Sequence, residues 1–222
     1  MLSLAAHAGE AGRALLREAV SHPNPEVAAI AVHGLVGEEE TTPQQVVVWL
    51  EHPSPLVRLC VALPAARRFG PDTPEPAVDV LLAALHADPG LQASYGSLPF
   101  VDGRLRGAVA IALSNVRSPR AFAAAPTLAV DLDRLDLFTL DAVTQGLLAL
   151  CFGDGTGPFA PAFLQVLEAL GRSRQLRSFG NFDDTARRWN LPTQPDELSA
   201  LVTRLRVTPD PEAALRARMI GE

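Results

Sequence analysis

The sequence predicts an all-α protein, and three observations support this fold class. Of the 222 residues, 35 are Ala and 33 are Leu, and both rank among the strongest helix formers. Only 12 residues are aromatic, so aliphatic and small side chains must fill the interior. Several of the 19 prolines directly follow side chains that cap helices. A chain of this length can bury a sizeable core, which excludes a disordered protein.

The prolines mark where helices begin. Proline is tolerated in the first turn of a helix and disrupts the interior, because it has no backbone N–H to donate. A preceding Ser, Thr, Asn or Asp can accept a hydrogen bond from the first exposed N–H groups of the helix. Six such pairs therefore predict helix starts: Asn24-Pro25, Thr42-Pro43, Ser54-Pro55, Thr73-Pro74, Ser118-Pro119 and Asp210-Pro211.

A repeat of 30 residues relates the first and the third of these helix starts, Asn24-Pro25 and Ser54-Pro55. Residues 22–27 and 52–57 share the pattern His-Pro-x-Pro-x-Val. Each copy lies between two apolar stretches with helical spacing, at 15–20 and 28–36 for the first copy and at 46–50 and 58–66 for the second. A period of this size is typical of stacked helical hairpins. The predicted unit is therefore helix, short turn, helix.

Segments 22–35 and 52–63 resemble the second half of a bacterial HEAT repeat, in which an Asp-Pro-x-Pro-x-Val-Arg turn leads into an inner helix rich in Ala and Leu. Arg58 stands where the family has its arginine, and Arg106 does so in a looser third copy. His replaces the Asp of the turn, and Ala28 replaces the arginine of the first copy. The resemblance implies a right-handed α-α superhelix of about five hairpins, in the manner of a HEAT-like, armadillo-type solenoid.

The remaining elements follow from weaker patterns. Residues 1–171 are expected to form the repeats, and 172–222 a divergent helical cap within the same domain. Segment 90–103, rich in glycine, is expected to be an insertion loop. Further helices are predicted at 105–113, 141–150, 161–170, 182–189, 195–207 and 211–219.

Composition limits the classes of partner. The net charge is −6, every basic residue is Arg, and a duplex-binding surface needs a basic stripe, so nucleic acid is an unlikely partner. No apolar tract is long enough to cross a bilayer, and we expect a cytoplasmic protein. Cys60 and Cys151 lie in apolar runs and are expected to be reduced core residues. Segment 153–157 has no Walker lysine and is expected to end one helix, with Pro158 near the start of the next.

Candidate contact residues are spread along the chain. Tyr95 and Phe100 lie in the expected insertion, which is either a functional loop or an inert cover. His33 stands on an inner helix and could face a concave groove. Arg58 and Arg106 could reach a partner or pair with neighbouring turns. No spacing typical of a metal site is present, and no cofactor or metal is expected.

The segment after residue 170 is locally basic and carries aromatic neighbours, a composition typical of binding hot spots. Its alternative interpretation is a solvated helix rim with a Trp in the terminal core. The residues are Arg172, Arg174, Arg177, Phe179, Phe182, Arg187, Arg188 and Trp189, of which the last three are the strongest candidates.

The predicted function is a non-catalytic protein–protein interaction module or scaffold that presents a concave helical surface to another protein of acidic or mixed charge. We find no combination of nucleophile, base and orienting group, which disfavours an enzyme. Two alternatives stay open. One is a HEAT-like enzyme, resembling an alkylpurine DNA glycosylase or a bilin lyase component. The other is a small antagonist or immunity-type protein.

Overall fold

The computed structural model describes residues 9–101, 104–176 and 181–221, and within these ranges every regular element is helical. The chain divides into two compact units, one ending at Val116 and the other beginning at Arg117. The predicted all-α class is therefore confirmed for the described residues. None of the described helices is long and apolar enough to cross a membrane.

The first unit contains seven described α-helices. They are α1 (Glu10–Ala19), α2 (Pro25–Val36), α3 (Pro43–Leu50), α4 (Pro55–Phe69), α5 (Glu75–Ala84), α6 (Pro89–Gly96) and α7 (Leu105–Val116). The central helix is α4, which packs against α2, α3, α5 and α7. Helix α1 packs on α2, and α3 packs on α5. Fully buried alanines on α2 and α4, such as Ala29 and Ala62, let the helices approach closely.

The second unit also contains seven described α-helices. They are α8 (Pro119–Ala123), α9 (Ala125–Leu128), α10 (Leu137–Phe152), α11 (Phe163–Arg172), α12 (Asn181–Arg187), α13 (Pro195–Arg206) and α14 (Pro211–Ile220). Helix α10 is buried along most of its length and packs against α8, α9, α11 and α12. Helix α11, which we grouped with the repeats, packs against α13 of the predicted cap. Phe152, Phe159 and Phe163 meet edge to face, with ring centroids 4.9–6.2 Å apart.

Most of the predicted helix starts are confirmed. Five of the six cap residues stand immediately before a helix: Asn24, Thr42, Ser54, Ser118 and Asp210. At Thr42 the cap is reciprocal, because the Gln45 side chain also accepts the Thr42 backbone N–H. The sixth start is displaced by one residue: α5 begins at Glu75, and the Thr73 hydroxyl donates to the Gly70 carbonyl oxygen instead.

The expected insertion loop is partly helical, which corrects the prediction for 90–103. The chain begins a new helix here, because Asp88 caps the start of α6. Its Oδ1 accepts the Leu91 backbone N–H at 2.9 Å. The physical reason is the same as at the six predicted pairs, since Asp before Pro supplies both the cap oxygen and a helical φ. Residues 102 and 103 lie outside the described ranges.

Candidate functional site

Two of the candidate residues in the first unit meet in space. The imidazole of His33, on α2, stacks on the ring of Phe100, which follows α6. The ring centroids are 3.9 Å apart and the planes are inclined by 14°. Both side chains are half-buried. The sequence predicted His33 and Phe100 as separate candidates, and the structure makes them one aromatic pair.

The environment of His33 keeps its imidazole neutral at physiological pH. Burial, with a smaller contribution from the positive charge of Arg67, lowers the pKa of His33 to about 4. The buried Nδ1 atom finds no hydrogen-bond partner among the described residues. Arg67 itself is exposed on α4. The pair therefore combines a neutral aromatic surface, an unused ring nitrogen and a nearby cation.

The other arginines of α4 serve the fold. The Nη1 of Arg58 donates to the His52 carbonyl oxygen at 3.3 Å, so this guanidinium contacts the turn before its own helix. Arg68 donates to the carbonyl oxygens of Val36 and Glu39, at the end of α2. A guanidinium is favourable there because the carbonyl groups at a helix C-terminus carry partial negative charge. Arg106, on α7, is half-buried.

Tyr95 is not presented to a partner. It lies on α6 and is buried, and its hydroxyl is close enough to Cys60 for the two groups to interact electrostatically. Burial, with a smaller contribution from Cys60, raises the pKa of Tyr95. The signal that selected Tyr95 was its place in an expected loop, and α6 replaces that loop.

The candidates of the C-terminal segment form a core contact and a polar rim. Trp189 is buried, and its indole N–H donates to the Gly153 carbonyl oxygen at 3.0 Å. Arg187 is exposed and lies 3.3 Å from Asp184. The Arg188 guanidinium, also exposed, lies 5.6 Å from the centre of the Trp189 ring. This placement matches the alternative interpretation of a solvated rim around a terminal Trp. Arg177 and Phe179 lie outside the described residues.

The glycine-rich segment 153–157 is a braced connection between α10 and α11. Arg216 donates to the carbonyl oxygens of Gly155 and Gly157. The Asp154 carboxylate accepts hydrogen bonds from both the backbone N–H and the hydroxyl of Thr156. The Thr156 N–H is therefore already bonded to an acidic side chain and is not free to bind an anion. Helix α10 ends at the segment as predicted, but α11 begins only at Phe163, five residues after Pro158.

A surface that the sequence analysis missed lies at the start of α10. Leu137 and Phe138 occupy the first turn of this helix, and the Phe138 side chain is 86% exposed. The predicted helix at 141–150 began four residues too late, so these side chains were not assigned to a helix. The available signal was Asp136, a capping residue placed before an apolar run without a proline.

Both cysteines are buried and unpaired in disulfides, as predicted. Burial raises the pKa of the Cys60 and Cys151 thiols to about 12, so both are protonated at neutral pH and are poor nucleophiles. Within the described ranges, no group of three or more His, Cys, Asp or Glu side chains could hold a metal ion.

No protein-family model, no curated protein and no solved structure matches this chain significantly. The case for a function therefore depends on the residues of the chain itself.

Proposed function

We propose that this chain is a non-catalytic protein–protein interaction module, and that its first unit is a short HEAT-like stack of helical hairpins. The order of packing supports such a stack, because α4 lies between α2 and α7 while α3 packs on α5. In a superhelix of this kind, α2, α4 and α7 would line the inner face. The observation that most favours a binding role is the half-buried pair formed by His33 on α2 and Phe100 after α6.

The pair has the physical properties of a binding hot spot. Stacking already restricts both rings, so the two side chains lose little further conformational entropy when a partner covers them. The uncharged imidazole costs less to desolvate than an imidazolium, and its Nδ1 has no partner among the described atoms. A partner that covers the pair would bury the part of its aromatic surface that is still exposed.

Charge beside the pair favours a protein partner with acidic groups. Arg67 is exposed on the neighbouring helix α4 and is close enough to lower the pKa of His33. A carboxylate on the partner could pair with this guanidinium while an apolar group covers Phe100. A partner of mixed charge would satisfy both requirements.

The test is affinity purification of the tagged full chain from its native host, followed by mass spectrometry and measurement of Kd with the recovered protein. His33→Ala and Phe100→Ala should each weaken binding by about tenfold or more, because each removes half of the stacked pair. Val48→Ser is the matched control, since Val48 is an exposed apolar residue on α3 of the same unit. Circular dichroism and thermal unfolding should establish that each variant is folded.

Two outcomes would overturn the proposal. One is a wild-type chain that recovers no protein but binds alkylated DNA at moderate salt, which would favour a glycosylase-like enzyme. The other is a recovered partner that binds both variants of the pair as tightly as it binds the wild-type chain and Val48→Ser.

A further inference from the structure

The second unit exposes three large apolar side chains within nine residues of sequence. Phe138 is 86% exposed, Val130 55% and Leu137 52%. We call Phe138 and the adjacent Leu137 the Phe138 patch. An isolated exposed aliphatic residue is ordinary in a folded protein, but a phenylalanine that is almost fully exposed beside a leucine is not.

The fold holds the patch in an outward position. Asp136 caps α10, with one carboxylate oxygen accepting the Thr139 backbone N–H at 3.1 Å and the other accepting its hydroxyl at 2.7 Å. Thr139 and Leu140, which follow in the same helical turn, are both buried. Because successive residues of a helix point about 100° apart, burial of these two directs Leu137 and Phe138 away from the core. A partner would therefore meet a surface that is already ordered.

The patch lies among negative charges. Segment 130–141 holds four aspartates, at 131, 133, 136 and 141, and one arginine, Arg134, which gives 1 − 4 = −3. Arg174 also interacts with Asp133, and including it gives 2 − 4 = −2. Asp131 and Asp133 are both exposed, and Asp131 lies 3.2 Å from Arg134. The Phe138 patch is therefore an apolar projection in a segment of net negative charge.

We infer that the Phe138 patch is a docking surface for a protein whose own surface offers an apolar pocket bordered by Arg or Lys. A projecting phenylalanine fits a pocket better than a flat surface, and a basic border would complement the aspartates. A second copy of this chain is a poorer occupant, because two acidic borders would face each other. This surface lies in the second unit and is independent of the His33–Phe100 pair.

The test places the photo-crosslinking residue benzoylphenylalanine at position 138 of the full chain in its native host and maps the crosslinked peptide by mass spectrometry. The same residue at position 207 is the control, because Val207, which directly follows α13, is 84% exposed in the same unit and has no other exposed large apolar residue beside it in the described sequence. The expected product is one protein, crosslinked beside Arg or Lys residues, that is absent from the position-207 control.

The purified partner then gives Kd for the wild-type chain and its variants. Phe138→Ser and Leu137→Ser should each raise Kd by about tenfold or more, Val207→Ser should leave it unchanged, and added salt should weaken binding. Phe138 contributes little to the core, so Phe138→Ser should unfold at the wild-type temperature.

The inference fails if the crosslinked product is a second copy of this chain, if the crosslinked peptide lacks basic residues, or if no product exceeds the control. It also fails if Phe138→Ser binds like the wild type. When His33→Ala loses a partner that Phe138→Ser retains, the proposed function stands and the docking surface does not. The reverse pattern supports the docking surface and removes the His33–Phe100 pair as a binding site.

Discussion

Thr139 and Thr144 lie five residues apart on α10 and are both buried, but their hydroxyl groups have different environments. The Thr139 hydroxyl donates to the Asp136 carboxylate at 2.7 Å, as part of the helix cap. The Thr144 hydroxyl finds no partner within the described part of the chain. A buried hydroxyl without a hydrogen bond lowers stability by about 1–3 kcal/mol relative to a satisfied one.

Thr144→Val should therefore stabilise the protein, by about 1 kcal/mol, because valine has nearly the same shape and no polar group to satisfy. Thr139→Val should have the opposite effect and cost about 1–2 kcal/mol, since it leaves a cap carboxylate with fewer donors. Urea unfolding of the two variants and the wild type measures both changes. A destabilised Thr144→Val would show that this hydroxyl does have a partner.

Helix starts could be predicted well from the sequence because their chemistry is local. A cap oxygen and a proline φ act within four residues, and five of the six predicted starts are found where expected. The start at Asp88 follows the same rule, but the glycine-rich segment after it was expected to be a loop. The start at Asp136 has no proline and gave a weaker signal.

The candidate site could be predicted only in its parts. His33 and Phe100 were each selected, but their stacking joins residues 67 positions apart, and no local pattern encodes such a contact. Trp189 likewise donates its indole N–H to the carbonyl oxygen of Gly153, which is 36 residues away. Exposure of Phe138 follows from which face of α10 packs on α8, α9, α11 and α12, and composition carries no information about that choice.

Each of the two turns of the 30-residue repeat contains the same kind of hydrogen bond to a histidine. The Nδ1 of His22 accepts the Asn24 backbone N–H, and the Nδ1 of His52 accepts the Ser54 backbone N–H, each at 3.1 Å. This contact fixes the turn before α2 and the turn before α4 in the same way.

His52→Ala should lower the free energy of unfolding by about 1 kcal/mol, because it removes the acceptor of a partly buried backbone N–H. His22→Ala should cost less, since His22 is exposed and water can replace the bond. In His52→Asn, the Oδ1 atom is attached to Cγ as Nδ1 is, and most of the stability should return. Urea unfolding would contradict this account if the Ala and Asn variants were equally destabilised.

Gly153 ends α10 in a conformation that strongly favours glycine, with φ +57° and ψ −125°. A Cβ at this position would collide with the Arg117 guanidinium, which is held by a hydrogen bond to the Ala149 carbonyl oxygen at 2.9 Å. Gly153→Ala should therefore cost about 2–4 kcal/mol through backbone strain and loss of the Arg117 contact.

Gly155→Ala is the matched control, because Gly155 also has a positive φ, of +85°, but a Cβ there would meet open space. Its expected cost is about 1 kcal/mol from the backbone alone. Thermal unfolding of both variants separates strain from collision. Equal destabilisation would mean that the Arg117 contact adds nothing.

The stability of the first unit should depend on pH through His33. Its pKa is about 4 in the folded chain against an ordinary value of 6.5, so both states are neutral above pH 6.5 and the residue has no effect there. As the pH falls from 6.5 towards 4, the unfolded chain binds a proton that the folded chain does not, and stability is lost. The full shift corresponds to about 3 kcal/mol, and solvent around this half-buried ring reduces the expected loss to about 2 kcal/mol.

His33→Phe keeps a ring stacked on Phe100 and has no proton to bind, so its stability relative to the wild type should rise by about 2 kcal/mol between neutral pH and pH 4. Arg67→Gln should reduce the pH-dependent loss of the wild type, because Arg67 contributes to the lowered pKa of His33. Urea unfolding across this pH range measures the difference, and NMR titration of the His33 ring gives its pKa directly. If the wild type and His33→Phe lost stability in parallel, other groups would account for the acid sensitivity, and His33 would titrate at an ordinary pKa.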